Sequence, residues 1–268
     1  MPAIVITGSA GGIGGGLAMA FYRQGFNVVV SDINQQALEE RISLIAGDNA
    51  DGRMHALTCD VTDKAQVQLL WDRAQAKYGR IDYWVNNAGL GGTQKTIADS
   101  DIDQLLSIVD VNIKGVIIGT HVAINSMAAQ GGGKIYNMAG FGVDGFTRKT
   151  MVAYGTTKRA VGYFSNGVAK EIEGSGISIG WMNPGMVITP LVIAGAKKMP
   201  REEWNRAGRK MFNLFGETAD NTGAKLMARM LKDDKNGTFI KLLPLPKMLG
   251  KLFLSLFRKR DMLSQYGV

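Results

Sequence analysis

The start of the chain constrains it most. A five-residue apolar run, Ala3-Ile-Val-Ile-Thr7, stops in a glycine-rich turn, Gly8-Ser-Ala-Gly-Gly-Ile-Gly14. A short, continuous, β-branched run reads as a strand buried on both faces, and the residues after the turn read as a helix through Gln24. The same alternation continues. Asn27–Ser31, His55–Thr58, Ile81–Val85, Lys134–Asn137 and Ile177–Trp181 read as strands, with helical patterns at Gln35–Ala46, Lys64–Tyr78, about Ile102–Ala129 and Val152–Glu173. Buried strands separated by helices of a dozen residues make βαβ units, so the pattern predicts an α/β fold with a doubly wound parallel sheet and helices on both faces. No repeat or Pro/Ser linker divides residues 1–241, which read as a single domain. The rhythm is interrupted over 190–215, and 242–268 depart from it as a tail.

Composition narrows the class. With 46% hydrophobic and 20% charged residues, wholesale disorder is excluded. The single cysteine, Cys59, has no internal partner, which fits a reducing, cytoplasmic setting. Neither a signal peptide nor a stretch of about 20 apolar residues able to span a bilayer is read. The net charge of +8 is unevenly placed: residues 225–268 hold 10 Lys/Arg against 3 Asp/Glu, the rest 21 against 20. The basicity thus belongs to the tail, and no nucleic-acid partner is expected from it. His55 and His121 are isolated, and no metal site is expected.

Thr7-Gly-x-x-x-Gly12-x-Gly14 lies between a strand and a helix, although its spacing is not G-x-G-x-x-G. Alone, such a turn is equally a flexible loop. At the head of a βαβ series it reads as a pyrophosphate cradle, with the helix N-terminus facing the phosphates. Gly8, Ser9, Gly12, Ile13 and Gly14 are the candidates there. Asp32, followed by Ile33, closes the second strand and reads either as a ligand of both adenosine ribose hydroxyls or as a helix N-cap. A carboxylate there repels a 2′-phosphate, and Ala10 and Gly11 stand where an Arg or Lys would welcome one. NAD(H) is therefore expected over NADP(H). Asp60-Val61 suits the adenine amino group, and Asn87-Ala88-Gly89 lets the chain pass close to the cofactor.

Six co-linear motifs, Thr7-Gly8-x-x-x-Gly12-x-Gly14, Asp60-Val61, Asn86-Asn87-Ala88-Gly89, Asn112, Tyr154-x-x-x-Lys158 and Asn183-Pro184-Gly185, resemble those of the classical short-chain dehydrogenase/reductases over about residues 3–190. The resemblance implies a Rossmann-like sheet of about seven strands, a homodimer or homotetramer, and hydride transfer between a nicotinamide and a carbonyl or alcohol. It implies Tyr154 as acid/base, Lys158 tuning it and holding the nicotinamide ribose, and Asn112 holding a relay water. Pro184, Gly185, Val187 and Thr189 are implied to lie against the nicotinamide. The physical reason for the pair is that a free phenol has a pKa of about 10, and a cation one helical turn away favours its ionised form. Taken singly, Tyr-x-x-x-Lys is common on helices and reads first as a surface pair.

The family pattern places a serine after the fifth strand to polarise the substrate carbonyl. Here Ala139 and Gly140 occupy that place, and no hydroxyl side chain lies between Asn137 and Phe146. Loss of one such donor costs about 10²–10³ in rate at comparable sites. Thr147 and Thr150 are alternative donors. The opposing reading is a catalytically weak or silent NAD-binding protein acting as a redox sensor or scaffold. The wording Asn137-Met-x-Gly-x-Gly-x-Asp-Gly145 and Pro184-Gly-Met-Val-x-Thr189 resembles the chlorophyll b reductase branch, which also lacks the usual serine but carries one at the position of Val143. A ring formyl group, or another large apolar carbonyl or secondary alcohol, is the implied substrate class. Gly140, Phe141, Val143, Met186 and Leu191 are the candidate substrate contacts.

The family places a substrate lid at about 186–215. Here it is rich in Met, Leu, Val and Ile, with Lys197, Lys198, Arg201, Arg206, Arg209 and Lys210 interspersed. It reads either as a wall for a bulky hydrophobic substrate or as an amphipathic segment packed on the core. In the tail, Met248, Leu249, Leu252, Phe253 and Leu256 fall at helical spacing before Arg258-Lys-Arg260. That pattern suits peripheral membrane contact, a dimer interface, or packing against the lid.

Overall fold

In the computed structural model, which describes residues 1–47, 51–255, 257 and 260–268, the apolar runs become strands where glycine or polar residues bound them. In chain order the elements are β1 (Ala3–Thr7), α1 (Gly12–Arg23), β2 (Asn27–Asp32), α2 (Gln35–Ala46), β3 (Met54–Thr58), α3 (Lys64–Tyr78), β4 (Tyr83–Asn86), α4 (Ile102–Val109), a π-helical turn (Asp110–Lys114), α5 (Gly115–Ala129), β5 (Gly133–Met138), α6 (Val152–Glu171) and β6 (Ile177–Asn183). There follow β7 (Val187–Ile188), α7 (Pro190–Lys198), α8 (Arg201–Glu203), a second π turn (Trp204–Arg209), α9 (Lys210–Phe215), β8 (Glu217–Thr218), α10 (Ala219–Met230), β9 (Thr238–Lys241) and α11 (Leu245–Ser255).

Seven strands form one parallel sheet in the order β3-β2-β1-β4-β5-β6-β9, and the expected Rossmann-like architecture is found. Strand order reverses between β1 and β4, which opens a crevice beyond their C-terminal ends. β9 is the edge strand that periodicity does not reveal, because it is only four residues long and mostly half-buried. β4 begins at Tyr83 rather than Ile81. The Ile81 amide donates to the Gln130 side chain at 3.2 Å, which takes it out of the ladder, while Asp82 leads into it: its carboxylate accepts from the Ala3 amide at 2.8 Å, its own amide donates to the Ala3 carbonyl and its carbonyl accepts from the Lys134 amide, each at 2.9 Å.

Two apolar layers cover the sheet. Leu70, Trp71, Trp84, Met127 and Ile135 pack on one side, and Leu17, Phe21, Leu38, Leu226 and Met230 on the other. Each such Leu, Ile, Met or Phe contributes about 1.5–3 kcal/mol on burial. Ile102–Ala129 is one 28-residue helical run whose most apolar 18-residue stretch has a mean hydropathy of 1.4, long and apolar enough, by length and composition, to cross a membrane. This corrects the expectation that no stretch reaches that length. Val116, Val122, Ala123 and Met127 of the run are buried against the protein, and Asp103, Asp110 and Lys114 interrupt it, as in a core helix.

β7 and β8 pair in a small second sheet that brings the ends of the 186–215 segment together. The tail is not an appendage. Leu263 is fully buried with Ile188, Ala196 and Trp204, so its end is built into that segment. Leu256, Arg258 and Lys259, named in the tail pattern, lie outside the described residues.

Candidate active site

The crevice is assembled from backbone before any side chain is counted. Gly8 has φ +62, and a Cβ there would stand 2.5 Å from the Cα of Ala88, so only glycine lets β1 and β4 approach this closely. Thr7 Oγ1 accepts from the amides of Asn87 and Ala88, each at 3.1 Å. The Asn87 side chain donates to the carbonyls of Thr7 and Gly8, each at 2.9 Å. A Cβ on Gly14 would collide with that Asn87 amide. Gly11 is the N-cap of α1 and no side chain caps it, so the first-turn amides of Gly12, Ile13 and Gly14 are available to an anion. A dinucleotide pyrophosphate fits this cradle.

Asp32 extends the description. The N-cap of α2 is Asn34, whose side chain accepts from Ala37, so the N-cap reading of Asp32 is not realised. Its carboxylate instead accepts the amides of Ala10 at 3.4 Å and Asn34 at 3.3 Å, beside an exposed Ile33. The sequence reading missed Arg41. From α2 its Nε donates to the Ala10 carbonyl at 2.9 Å, and its guanidinium lies 2.9 Å from where a Cβ on Gly15 would stand. A cation therefore rests over the glycine turn, although the turn itself has none. Asp60 accepts from Thr62 amide and hydroxyl at 2.8 Å, and Val61 packs against Gly115. Thr189 caps α7 through Val192 and lies against Gly12, while Gly185 donates to the Asn183 side chain at 3.0 Å with Pro184 and Val187 buried beside it.

Tyr154 and Lys158 stand one turn apart on α6. Lys158 is 4% exposed, and its Nζ donates to the Met138 carbonyl at 3.0 Å and lies 5.7 Å from the Tyr154 ring centroid. Burial pushes the Tyr154 phenol up to about 12 and the Lys158 ammonium down to about 8. Among the described residues the Tyr154 hydroxyl has no hydrogen-bond partner, so it is free to serve a ligand. Asn112 sits in the π turn, fully buried. It accepts from the Leu90 amide at 2.8 Å and donates to the Leu90 carbonyl at 3.0 Å and to Thr157 at 3.1 Å. A Cβ built on Gly89 would be 3.1 Å from Asn112 Oδ1 and 3.5 Å from Lys158 Nζ, so the three positions converge on one wall. Behind it a buried network missed in the sequence links Asn86 to Thr120 and Asn137, and Asn137 to Ser165.

The substrate candidates separate. Gly140 lies under the Tyr154 hydroxyl, 2.9 Å from a Cβ built on it, and Phe141 stands 37% exposed next to it. Leu191 reaches across to Gly91, and Met186 is half-buried beside β8, its carbonyl accepting from Glu217. Val143 departs from expectation. The turn after β5 folds back through a Val143 amide to Gly140 carbonyl bond, and the side chain packs with Val116, Ala139 and Val161. Thr147 is exposed, Thr150 takes φ +70 beside Gly92, and neither hydroxyl bonds to Tyr154.

The profile of the short chain dehydrogenase family matches residues 2–199. Chlorophyll(ide) b reductase NOL of Oryza sativa subsp. japonica is 33% identical over 198 residues, 72% of this chain and 58% of that protein. A probable chlorophyll(ide) b reductase of Arabidopsis thaliana is 28% identical over 96% of this chain and 53% of its own length. The chain thus spans about half the length of these curated relatives. Levodione reductase superposes with a TM-score of 0.81 at 26% identity, over 90% of this chain and 95% of that one. Solved structures sharing the fold include one complexed with NADH and others holding NADP.

Proposed function

The chain belongs to the short-chain dehydrogenase family, in the branch that resembles chlorophyll b reductases, and from that premise we propose that it is an NAD(H)-dependent oxidoreductase acting on a hydrophobic carbonyl or secondary alcohol, a ring formyl group included. The observation that carries this reading is the unpartnered Tyr154 hydroxyl beside Lys158 and Asn112, at the mouth of a cradle shaped for a dinucleotide. When bound, the nicotinamide supplies or accepts the hydride. In the reducing direction Tyr154 gives its proton to the oxygen that becomes the alcohol, and the Lys158 ammonium stabilises the phenolate left behind. Asn112 positions the β4 loop and supports the relay that returns the proton. The silent-protein reading loses ground, since among the described residues no hydrogen bond occupies the Tyr154 hydroxyl.

With no hydroxyl between Asn137 and Phe146, backbone amides take the place of the family serine. Among the described residues the N–H groups of Gly140 and Phe141 donate no hydrogen bond, and both belong to the turn under Tyr154. Asp32 favours NAD(H), since a 2′-phosphate would meet its charge. Exposed apolar side chains on α4 to α6, among them Ile102, Leu106, Ile117 and Tyr163, form the face we assign to a homodimer or homotetramer. The buried, unpaired Cys59 suits a cytoplasmic setting.

The test is loss of NADH absorbance against a panel of apolar carbonyls, including a formyl-bearing chlorophyll. Tyr154→Phe and NADPH run in parallel. Turnover that vanishes in the variant supports the proposal; tight NADH binding with no turnover of any carbonyl opposes it.

A further inference from the structure

α11 is turned inside out. Surface helices of soluble proteins face their apolar stripe inward and their charges outward. Here Leu245, Leu249, Leu252 and Phe253 share one face and are 51–65% exposed, and none of the eleven residues is buried. Just beyond the helix, Phe257 is 77% exposed and pairs edge-to-face with Phe253 at 5.4 Å. The lysine ammoniums meanwhile bond back to the protein, Lys251 half-buried and Lys247 with its stem exposed. Lys247 Nζ donates to the Leu242 carbonyl at 3.0 Å and Lys251 Nζ to the Phe215 carbonyl at 3.1 Å. Arg260 reaches the carbonyls of Leu214 and Gly216, so two cations cap the C-terminus of α9. With Leu263 buried beyond, the segment is pinned at both ends and its apolar face is held out.

We propose that this face docks the protein on an anionic lipid bilayer, with α11 lying in the headgroup plane. Charge selects that occupant. Residues 235–260 hold seven Lys/Arg and no Asp or Glu, and of the seven Lys241 is paired with Asp144 from outside the segment. A second copy docking face to face would set two such cationic segments against each other, whereas an anionic surface attracts them. A leucine and phenylalanine stripe on a cationic helix is also the composition that partitions into the interface. This inference is independent of the substrate reading, since it concerns only where the protein sits.

The experiment is co-sedimentation of the full chain with vesicles of phosphatidylcholine plus phosphatidylserine, against phosphatidylcholine alone. The parent is expected to bind the anionic vesicles, and Leu252→Glu combined with Phe253→Glu to lower that affinity about 100-fold or more. NADH binding and melting temperature report that the fold is kept; should the double variant not fold, Leu249→Ser tests the same face. Raised salt is expected to weaken binding and the apolar stripe to retain part of it. No preference for anionic vesicles, equal binding by parent and variant, or a variant that changes only the oligomeric state would overturn the proposal. The last result would make the face a subunit contact.

Discussion

The glycine cradle and α11 follow opposite rules. At the cradle every close approach is matched: Gly8 admits Ala88, Gly14 admits the Asn87 amide, and the donors of that amide meet two carbonyls. The polar side chains are tied, apolar ones are buried beneath, and the first-turn amides of α1 are left for a ligand. In α11 the cations are tied inward and the leucines are left outside. The first region is finished by the chain itself and waits only for a small ligand. The second is stable in place yet leaves apolar surface uncovered, which marks a contact completed from outside the chain.

The largest expected effect tests whether the cleft side works as assigned. Tyr154→Phe removes the hydroxyl over Gly140, which among the described residues has no hydrogen-bond partner, and is expected to lower kcat/KM by about 10²–10⁴ while NADH affinity is unchanged. Steady-state rates beside a binding titration check it, and residual turnover near that of the parent would move the acid elsewhere. Gly140→Ser follows. It restores the residue type that the family pattern carries, yet its Cβ would stand 2.9 Å from the Tyr154 hydroxyl. Displacement of the phenol is expected to cost about 100-fold in kcat. A gain in rate would mean that the turn relaxes and that the backbone amides are poor substitutes for a hydroxyl.

How much of this was legible in the sequence depends on how local the cause is. β1 and β2 were readable because strands buried on both faces are nearly unbroken apolar runs, and β3 to β6 because shorter apolar runs recur in step with the helices between them. Tyr154 and Lys158 were readable because one helical turn sets their spacing, and the glycine turn because it follows a strand. Arg41 was not, since its meeting with Ala10 depends on how α2 crosses the β2–α2 connection onto α1, which no local pattern encodes. The Asn86–Asn137 network was hidden for a similar reason: it spans two strands that only the sheet order brings together. The tail gave its stripe but not its direction. A helical wheel shows two faces, and only the carbonyls of Phe215 and Leu242 decide which one turns inward.

A third test concerns packing between helices of the finished region. Gly16 on α1 and Gly223 on α10 meet backbone to backbone, and a Cβ on Gly223 would overlap the Gly16 carbonyl group. Gly223→Ala is expected to destabilise by about 1–3 kcal/mol, read as a lower urea midpoint at unchanged slope. An unchanged midpoint would show that α10 yields, and that the cradle side is less rigid than its contacts imply.

The pH profile is the next smaller effect. The Lys158 ammonium, lowered to about 8 by burial, is charged below that pH and loses its proton above it. The phenol, raised to about 12, stays protonated throughout. Carbonyl reduction is therefore expected to be flat below about pH 7 and to fall roughly tenfold per unit above pH 8 as the supporting charge is lost. A profile of kcat/KM rising through that range would show that the neutral amine is the active form.

The smallest expected effect is the sharpest test of the contrast. Leu252→Ser removes a large apolar side chain, and in the sheet layers a comparable loss costs about 2–5 kcal/mol. On α11 the side chain is 51% exposed and the helix buries no residue, so folding gains little from it. The urea midpoint in the absence of lipid is expected to stay within about 0.5 kcal/mol of the parent. A large loss would mean that the outward stripe is already covered within the protein in solution, and α11 would then obey the same rule as the cradle. A null result leaves a leucine that the fold does not use, retained on a helix whose lysines are committed to holding that face outward.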